Sequence, residues 1–412
     1  MKNRSLIIVI VCCLAAGLKG QQPAVPAVAE QAGNGKALPL KLYINGRSGL
    51  ENTHRLLTAH RKITVAFLGG SITYNPGWRE LVGDYLKATY PLNNWRLINA
   101  GIPSLGSLPH AFRLQRDVLD SGKIDLLFVE AAVNDRVNGT DSVTQLRALE
   151  GIVRHAKKSN PQMDIILLSF ADPDKTANYN KGIVPAEIAN HERIAGHYRL
   201  PSINLAKAVR DKMANREFSW AADFKDLHPS PFGQKIYFDV IRELLINCFS
   251  GTSEKLKPAS LKRLPIPLEK AAFEKGSYTV LGQATHDDGW ILDSNWSPKD
   301  KLSTRDGFVH VPVLMSEKAG AVLSLPFKGT AVGIAVVSGA DAGMIAISID
   351  DAPYKNIDLF TPWSSQLHLP WYLLMGSDLN SGQHVLKIRI LDEKNNHSLG
   401  NACRIVHFLV NE

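Results

Sequence analysis

Cysteine is nearly absent from this chain. Four occur in 412 residues, and two of them, Cys12 and Cys13, sit in the apolar N-terminal run. Cys248 and Cys403 alone cannot form a disulfide framework, and nothing around them has metal-ligand spacing. They fall in different predicted domains, so a bridge between them is not the default expectation. Long hydrophobic runs are also scarce. The one candidate, Leu6 to Leu18, is shorter than the ~20 residues that span a bilayer. Lys2 and Arg4 precede it and Ala15, Ala16 and Gly17 close it, so residues 1–20 read as a secretory signal. The expected location is secreted or periplasmic. A lipoprotein anchored through Cys12 or Cys13 is the alternative, but the residues before them fit a lipidation site poorly. Blocks of one charge are missing too. The net charge of +8 is spread along the chain, which argues against a nucleic-acid partner.

What is present is enough length for two domains, each with its own core. Residues 21–40 are small, Pro/Ala-rich and aperiodic, a linker. Over 41–250 short β-branched or Leu-rich runs at 63–68, 95–99, 124–130, 164–169 and 201–204 alternate with helical patterns near 78–89, 109–120, 142–158, 186–197 and 231–247. Alternation of this kind predicts a three-layer α/β/α sandwich on a parallel sheet, with its site at the carboxyl ends of the strands. Residues 251–268, rich in Lys, Pro and Ser, read as a second linker. From 269 to 412 short alternating segments (276–281, 307–313, 320–325, 331–337, 343–350, 384–391, 402–410) separated by Gly, Asp, Asn and Pro predict an antiparallel β-sandwich.

The chemistry-bearing residues follow the predicted strands. Val65 to Leu68 end in Gly69-Gly70-Ser71-Ile72-Thr73, a turn that can present a serine hydroxyl with room beside it for a substrate. Gly-Gly-Ser also ends many strands merely to turn. His228, in Asp226-Leu227-His228-Pro229, is held extended by the following proline and titrates in the range a general base needs. Asn134, in Asn134-Asp135, follows another strand. Its amide could face a developing oxyanion, or it could serve only as a helix cap. Asn99-Ala100-Gly101-Ile102-Pro103-Ser104-Leu105-Gly106-Ser107 is a turn able to aim a backbone N–H into the same cleft.

Taken in order, Gly-Gly-Ser, Asn-x-Gly, Asn-Asp and His-Pro resemble the motifs of the SGNH hydrolase superfamily, also called GDSL esterases, over roughly 45–248. The resemblance implies Ser71 as nucleophile, His228 as base, and the Ser71 N–H, a second-motif N–H and the Asn134 amide as the oxyanion hole. The Gly-Gly-Ser-Ile-Thr form is similar to secreted carbohydrate acetylesterases that often carry a β-sandwich domain. Three positions depart from the family. Its second-motif glycine falls on Ser104, with Gly106 as the fallback donor. Its usual acid position, three before the histidine, is Lys225, leaving Asp226, then Asp223, or a Ser-His dyad. Its third-motif glycine is Ala132.

Other residues are read as structural. Arg79 and Trp78 follow the nucleophile loop and could contact substrate, or Trp78 could equally belong to the core. His191-Glu192 lacks further metal ligands. Trp290, Trp296, Trp363 and Trp371 could form a sugar-stacking platform or sandwich core. The expectation is therefore an exported serine esterase that needs no cofactor or metal. It would remove O-acetyl groups from a carbohydrate, a plant cell-wall polysaccharide or its oligosaccharides. The alternatives are a lipase or lysophospholipase, and a non-catalytic glycan-binding protein on the same scaffold. The oligomeric state is left open.

Overall fold

The computed structural model describes residues 37–250 and 263–412. The expected signal segment, most of the first linker and most of the second lie outside the described residues. The α/β domain runs β1 (Ile44–Asn45), α1 (Glu51–Thr58), β2 (Lys62–Gly69), α2 (Ser71–Tyr74), α3 (Trp78–Thr89), β3 (Asn94–Gly101), α4 (Ser107–Asp117), β4 (Leu126–Glu130) and α5 (Ala132–Val137). It continues α6 (Ser142–Ser159), β5 (Asp164–Ser169), α7 (Pro173–Asn180), α8 (Ala186–Tyr198), β6 (Ser202–Asn204), α9 (Leu205–Ala214) and α10 (Pro231–Phe249). The sheet order is β1-β6-β5-β4-β2-β3. Strands β2 to β6 pair in parallel. The two-residue β1 pairs antiparallel with β6, a departure from the all-parallel expectation. It enters from the N-terminal side without a crossover helix, so nothing forces it parallel.

Burial follows from sheet position. β4 and β5 are buried at every residue, and β2 at every residue after Lys62. These strands are covered on both faces, which is why they read as unbroken apolar runs. Val65, Phe67 and Phe128 pack on one face with Trp78 of α3 and Tyr237 of α10. Ala66, Leu68, Leu127 and Val129 pack on the other with Phe112 of α4 and Ile152 of α6.

The second domain comprises β7 (Gly276–Thr279), β8 (Thr285–His286), β9 (Ile291–Trp296), β10 (Ser303–Thr304), β11 (Val311–Ser316) and β12 (Val322–Gly329). It then adds β13 (Ala331–Ser338), β14 (Met344–Ile349), β15 (Lys355–Asp358), β16 (Leu367–Gly376), β17 (Gly382–Ile390) and β18 (Cys403–Asn411). A seven-stranded and a five-stranded sheet enclose the core around Leu323, Ile334, Ile345, Ile388 and Phe408. The pairing is antiparallel save for the short parallel β10–β16 pair. Cys248 is half-buried, Cys403 is buried, and both thiols are free. Burial raises them to about 11 and about 12. Among the described residues no helix is long and apolar enough to cross a membrane.

The two domains share a core. Phe112, Ile152, Phe273, Tyr372 and Leu409 belong to one continuous cluster. Residues 263–268, within the expected second linker, are docked on the α/β domain. Arg154 donates to the Pro265 carbonyl at 2.8 Å, and buried Glu150 accepts from the Leu268 and Glu269 N–H groups at 2.7 Å each. Gly151, in the middle of α6, lets the chain at Phe273 lie directly on the helix. A β-carbon there would stand 2.6 Å from the Phe273 carbonyl carbon.

That contact is testable. In an exposed helix Gly→Ala stabilises by about 1 kcal/mol, whereas here the added methyl meets backbone that cannot turn aside. Gly151→Ala is expected to lower the thermal midpoint, with an overpacking cost of about 1–3 kcal/mol. A raised midpoint would contradict close docking of the domains.

Candidate active site

Ser71 begins α2 where β2 ends, and Gly70 in front of it is in contact with a neighbouring side chain. A β-carbon on Gly70 would fall 2.0 Å from Asn134 Nδ2. The Asn134 amide therefore lies against the bare α-carbon beside the serine. Asn134 is in the first turn of α5, just past β4, and is nine-tenths buried. Among the described residues its side-chain amide has no hydrogen-bond partner, so its donors remain available.

His228 Nε2 stands 2.8 Å from Ser71 Oγ. Two elements set that distance. Ser230 caps α10, with Pro231 in its first turn, which fixes the chain after His228-Pro229. Helix α10 is then keyed to the nucleophile side, where Gln234 Oε1 accepts from the Trp78 N–H at 3.1 Å. Gly77, at φ 151°, packs against the same Gln234 side chain, an approach that only a residue without a β-carbon allows. The histidine itself lies open to solvent, at the rim of the site. Partial desolvation beside the protein surface lowers its pKa below the usual histidine value. Asp226 opposes that shift and Arg305 adds to it.

The acid does not sit where the motif led one to expect. Asp226 Oδ1 accepts from the Leu227 N–H, and Asp226 makes no hydrogen bond to His228. Asp223 accepts from the Ser219 N–H at 2.8 Å and is no closer to the role. Among the described residues His228 Nδ1 has no hydrogen-bond partner. Asp226 acts on the ring through its charge alone. Lys225, at the family's acid position, holds a left-handed φ of 76° and is exposed. The one π-helical turn ahead of it, Trp220–Phe224, changes the register by which a carboxylate three residues before the histidine would reach the ring.

Ser104 adopts φ 71°, the left-handed region, which explains why glycine is at ease in this position. Its carbonyl accepts from Asn138 Nδ2 at 2.9 Å. The N–H groups of Ser104 and Gly106 make no hydrogen bond within the described residues, while that of Ser107 is taken by Asp135 at 2.7 Å. Both candidates for the second oxyanion donor thus remain free.

Three supporting side chains were given no role in the motif reading. Asp135 is fully buried and accepts from the Ser107 N–H and hydroxyl at 2.7 and 2.9 Å, tying the start of α4 to the Asn134 turn. Burial lifts its carboxyl to about 7. Arg113, also fully buried, donates to the carbonyls of Gly69 and Ala100 at 3.2 and 2.6 Å, bracing the ends of β2 and β3. It also pairs with Asp117 at i,i+4, 3.0 Å away. Arg305 comes from the second domain, where no spacing could have linked it to the histidine.

Trp78 is in the core, edge-on to Phe67, Phe128 and Phe170, and Arg79 donates to the Thr73 carbonyl at 3.1 Å. His191 is buried and bonded to the Glu187 carbonyl, its pKa lowered by burial to about 4. Among the described residues no cluster of three His, Cys, Asp or Glu side chains could hold a metal. Trp290 and Trp296 are buried in the second domain. Trp363 and Trp371 lie 6.1 Å apart and half-buried, and Trp371 lines a cleft of about 220 Å³ between the domains. Ser104, Asn138 and Thr140 form its other wall.

Residues 67–236 match the model of the GDSL-like lipase/acylhydrolase family, over the stretch that holds Ser71, Asn134 and His228. Over that stretch the α/β domain is similar to GDSL-like lipase/acylhydrolases. The whole chain is similar in fold to a two-domain esterase active on acetylated mannans, solved with mannopentaose. The identity is 22%, the TM-score 0.72, and the match covers 90% of this chain and 98% of that one. A second structure of a two-domain esterase of the same description matches at 21% identity and TM-score 0.74, over the same shares. No curated protein matches the sequence. The shared fold spans the acylhydrolase domain and the sandwich together.

Proposed function

We propose that the protein is an exported serine esterase that removes O-acetyl groups from a carbohydrate, a plant cell-wall polysaccharide or its oligosaccharides. The observation that carries the proposal is the Ser71–His228 pair at 2.8 Å, with the free Asn134 amide against Gly70. A serine beside a neutral imidazole, next to unpaired donors on one side, is equipped to attack an acyl carbon. The family match supports ester hydrolysis, and the shared two-domain fold with the acetylated-mannan esterase supports a glycan substrate.

In the proposed reaction His228 Nε2 takes the Ser71 proton as Oγ attacks the acetyl carbon. The oxyanion is held by the Ser71 N–H, the N–H of Ser104 or Gly106, and Asn134 Nδ2. The protonated histidine then gives its proton to the departing sugar oxygen, which leaves as an alcohol. Water, deprotonated by the same nitrogen, attacks the acetyl-serine, frees acetate and restores Ser71. His228 works as the base of a dyad, and the charge of Asp226 stabilises the imidazolium that forms. A lowered histidine pKa keeps the base unprotonated down to mildly acidic pH.

Two measurements check this reading. Acetate release from acetylated xylan, xyloglucan, mannan and pectin should occur with the wild type and fall by about 10⁴-fold or more in Ser71→Ala. Silence on all four with an aryl acetate still cleaved would remove the carbohydrate, and release by Ser71→Ala would remove the nucleophile. Asp226 now raises the His228 pKa, so Asp226→Asn lowers it. The acid limb of kcat/KM should move to lower pH, with a loss at the optimum of less than about tenfold. A loss near the ~10⁴-fold that follows removal of a hydrogen-bonded triad acid would instead place Asp226 on Nδ1.

A further inference from the structure

The segment after β10 reaches across the domain boundary to the nucleophile turn. Tyr74, the last residue of α2, donates its phenolic proton to Asp306 Oδ2. Arg305, the residue before Asp306, is half-buried, and its charge is felt at His228. Among the described residues no ion pair or side-chain hydrogen bond reaches Arg305, and its Nε is shut off from solvent without an acceptor. The buried arginines of the chain are treated differently. Arg113 holds Asp117, Arg154 holds Glu274 and Arg404 holds Asp341. The neighbouring Asp306 accepts from Tyr74, and Asp226 accepts from the Leu227 N–H.

A partly desolvated guanidinium with no acceptor is costly unless something completes it. Its planar fork of donors fits a carboxylate with two parallel hydrogen bonds, a geometry that scattered sugar hydroxyls do not reproduce. The open rim beside His228 is where a sugar carrying the ester must lie.

We propose that Arg305, delivered by the second domain, is a specificity residue of this cleft and takes a carboxylate on the glycan beside the acetylated sugar. The preferred substrate is then an acetylated glycan bearing uronic acid, in preference to a neutral one. The inference rests on the esterase reading for the place of the ester, and on the unpaired guanidinium for the charge of its neighbour. The second domain contributes to selection as well as to packing.

The test separates binding from turnover. In full-length Ser71→Ala, calorimetry compares a xylo-oligosaccharide carrying one glucuronate with the neutral oligosaccharide of the same length, at low and high salt. The acidic ligand should bind at least about tenfold tighter, with the advantage shrinking in salt. Adding Arg305→Gln should erase the advantage, and Arg305→Lys should keep part of it, since the charge stays and the fork is lost. Thermal midpoints of both variants check that they fold. Equal affinities in Ser71→Ala, no binding of either ligand, or an advantage that survives Arg305→Gln would each overturn the assignment. Absence of acetate release by the wild type from every ester would instead count against the esterase reading, while the binding preference would still report on Arg305.

Discussion

The arrangement around Ser71 depends on one missing β-carbon. Gly70 brings the end of β2 so close to the end of β4 that the Asn134 amide rests on its α-carbon. Any side chain at 70 would push the two strand ends apart and carry the amide away from the hydroxyl. The surroundings hold that approach in place. Asp135 fastens the adjacent turn to α4, and the buried Arg113 bonds the carbonyls of Gly69 and Ala100. In the proposed reaction the donors to the developing charge must be fixed before it appears, and packed backbone holds the Asn134 amide in place.

The same economy of side chains joins the domains. Gly151 admits the chain at Phe273 onto α6, and Gly276 sits against the Ala111 carbonyl of α4. Helices α4 and α6 therefore support the active-site sheet on one side and the sandwich on the other. Since α4 also begins at the loop with the candidate oxyanion donors, a shift between the domains would be felt at the site. That rigidity lets Tyr74, Asp306 and Arg305 meet across a boundary that the sequence marks as a linker.

The strands at 62–69, 94–101 and 164–169 and the helix at 78–89 were legible because each has strong periodicity or an unbroken apolar run bounded by turn residues. Short polar helices such as α5 and α7 were not, since six to eight residues give little periodicity. Strand β16 was hidden by Pro370 in its interior, and β9 by exposure on nearly every residue. At the site, Ser71, Asn134 and His228 were legible because each immediately follows a strand or precedes a helix in a recognisable motif. The orienting acid was not settled by spacing, because a π-helical turn and a left-handed Lys225 redirect the chain just before the histidine. Arg305 had no sequence signal, because its relation to His228 exists only once the domains are docked.

The account stands most directly on the covalent step assigned to Ser71. Rapid acid quench of the enzyme with an activated acetate ester, followed by peptide mass analysis, would look for the intermediate. The account predicts one acetyl group on the peptide containing Ser71, reduced or absent in His228→Ala. Ester turnover with no adduct at any quench time, or an adduct on a different residue, would contradict it.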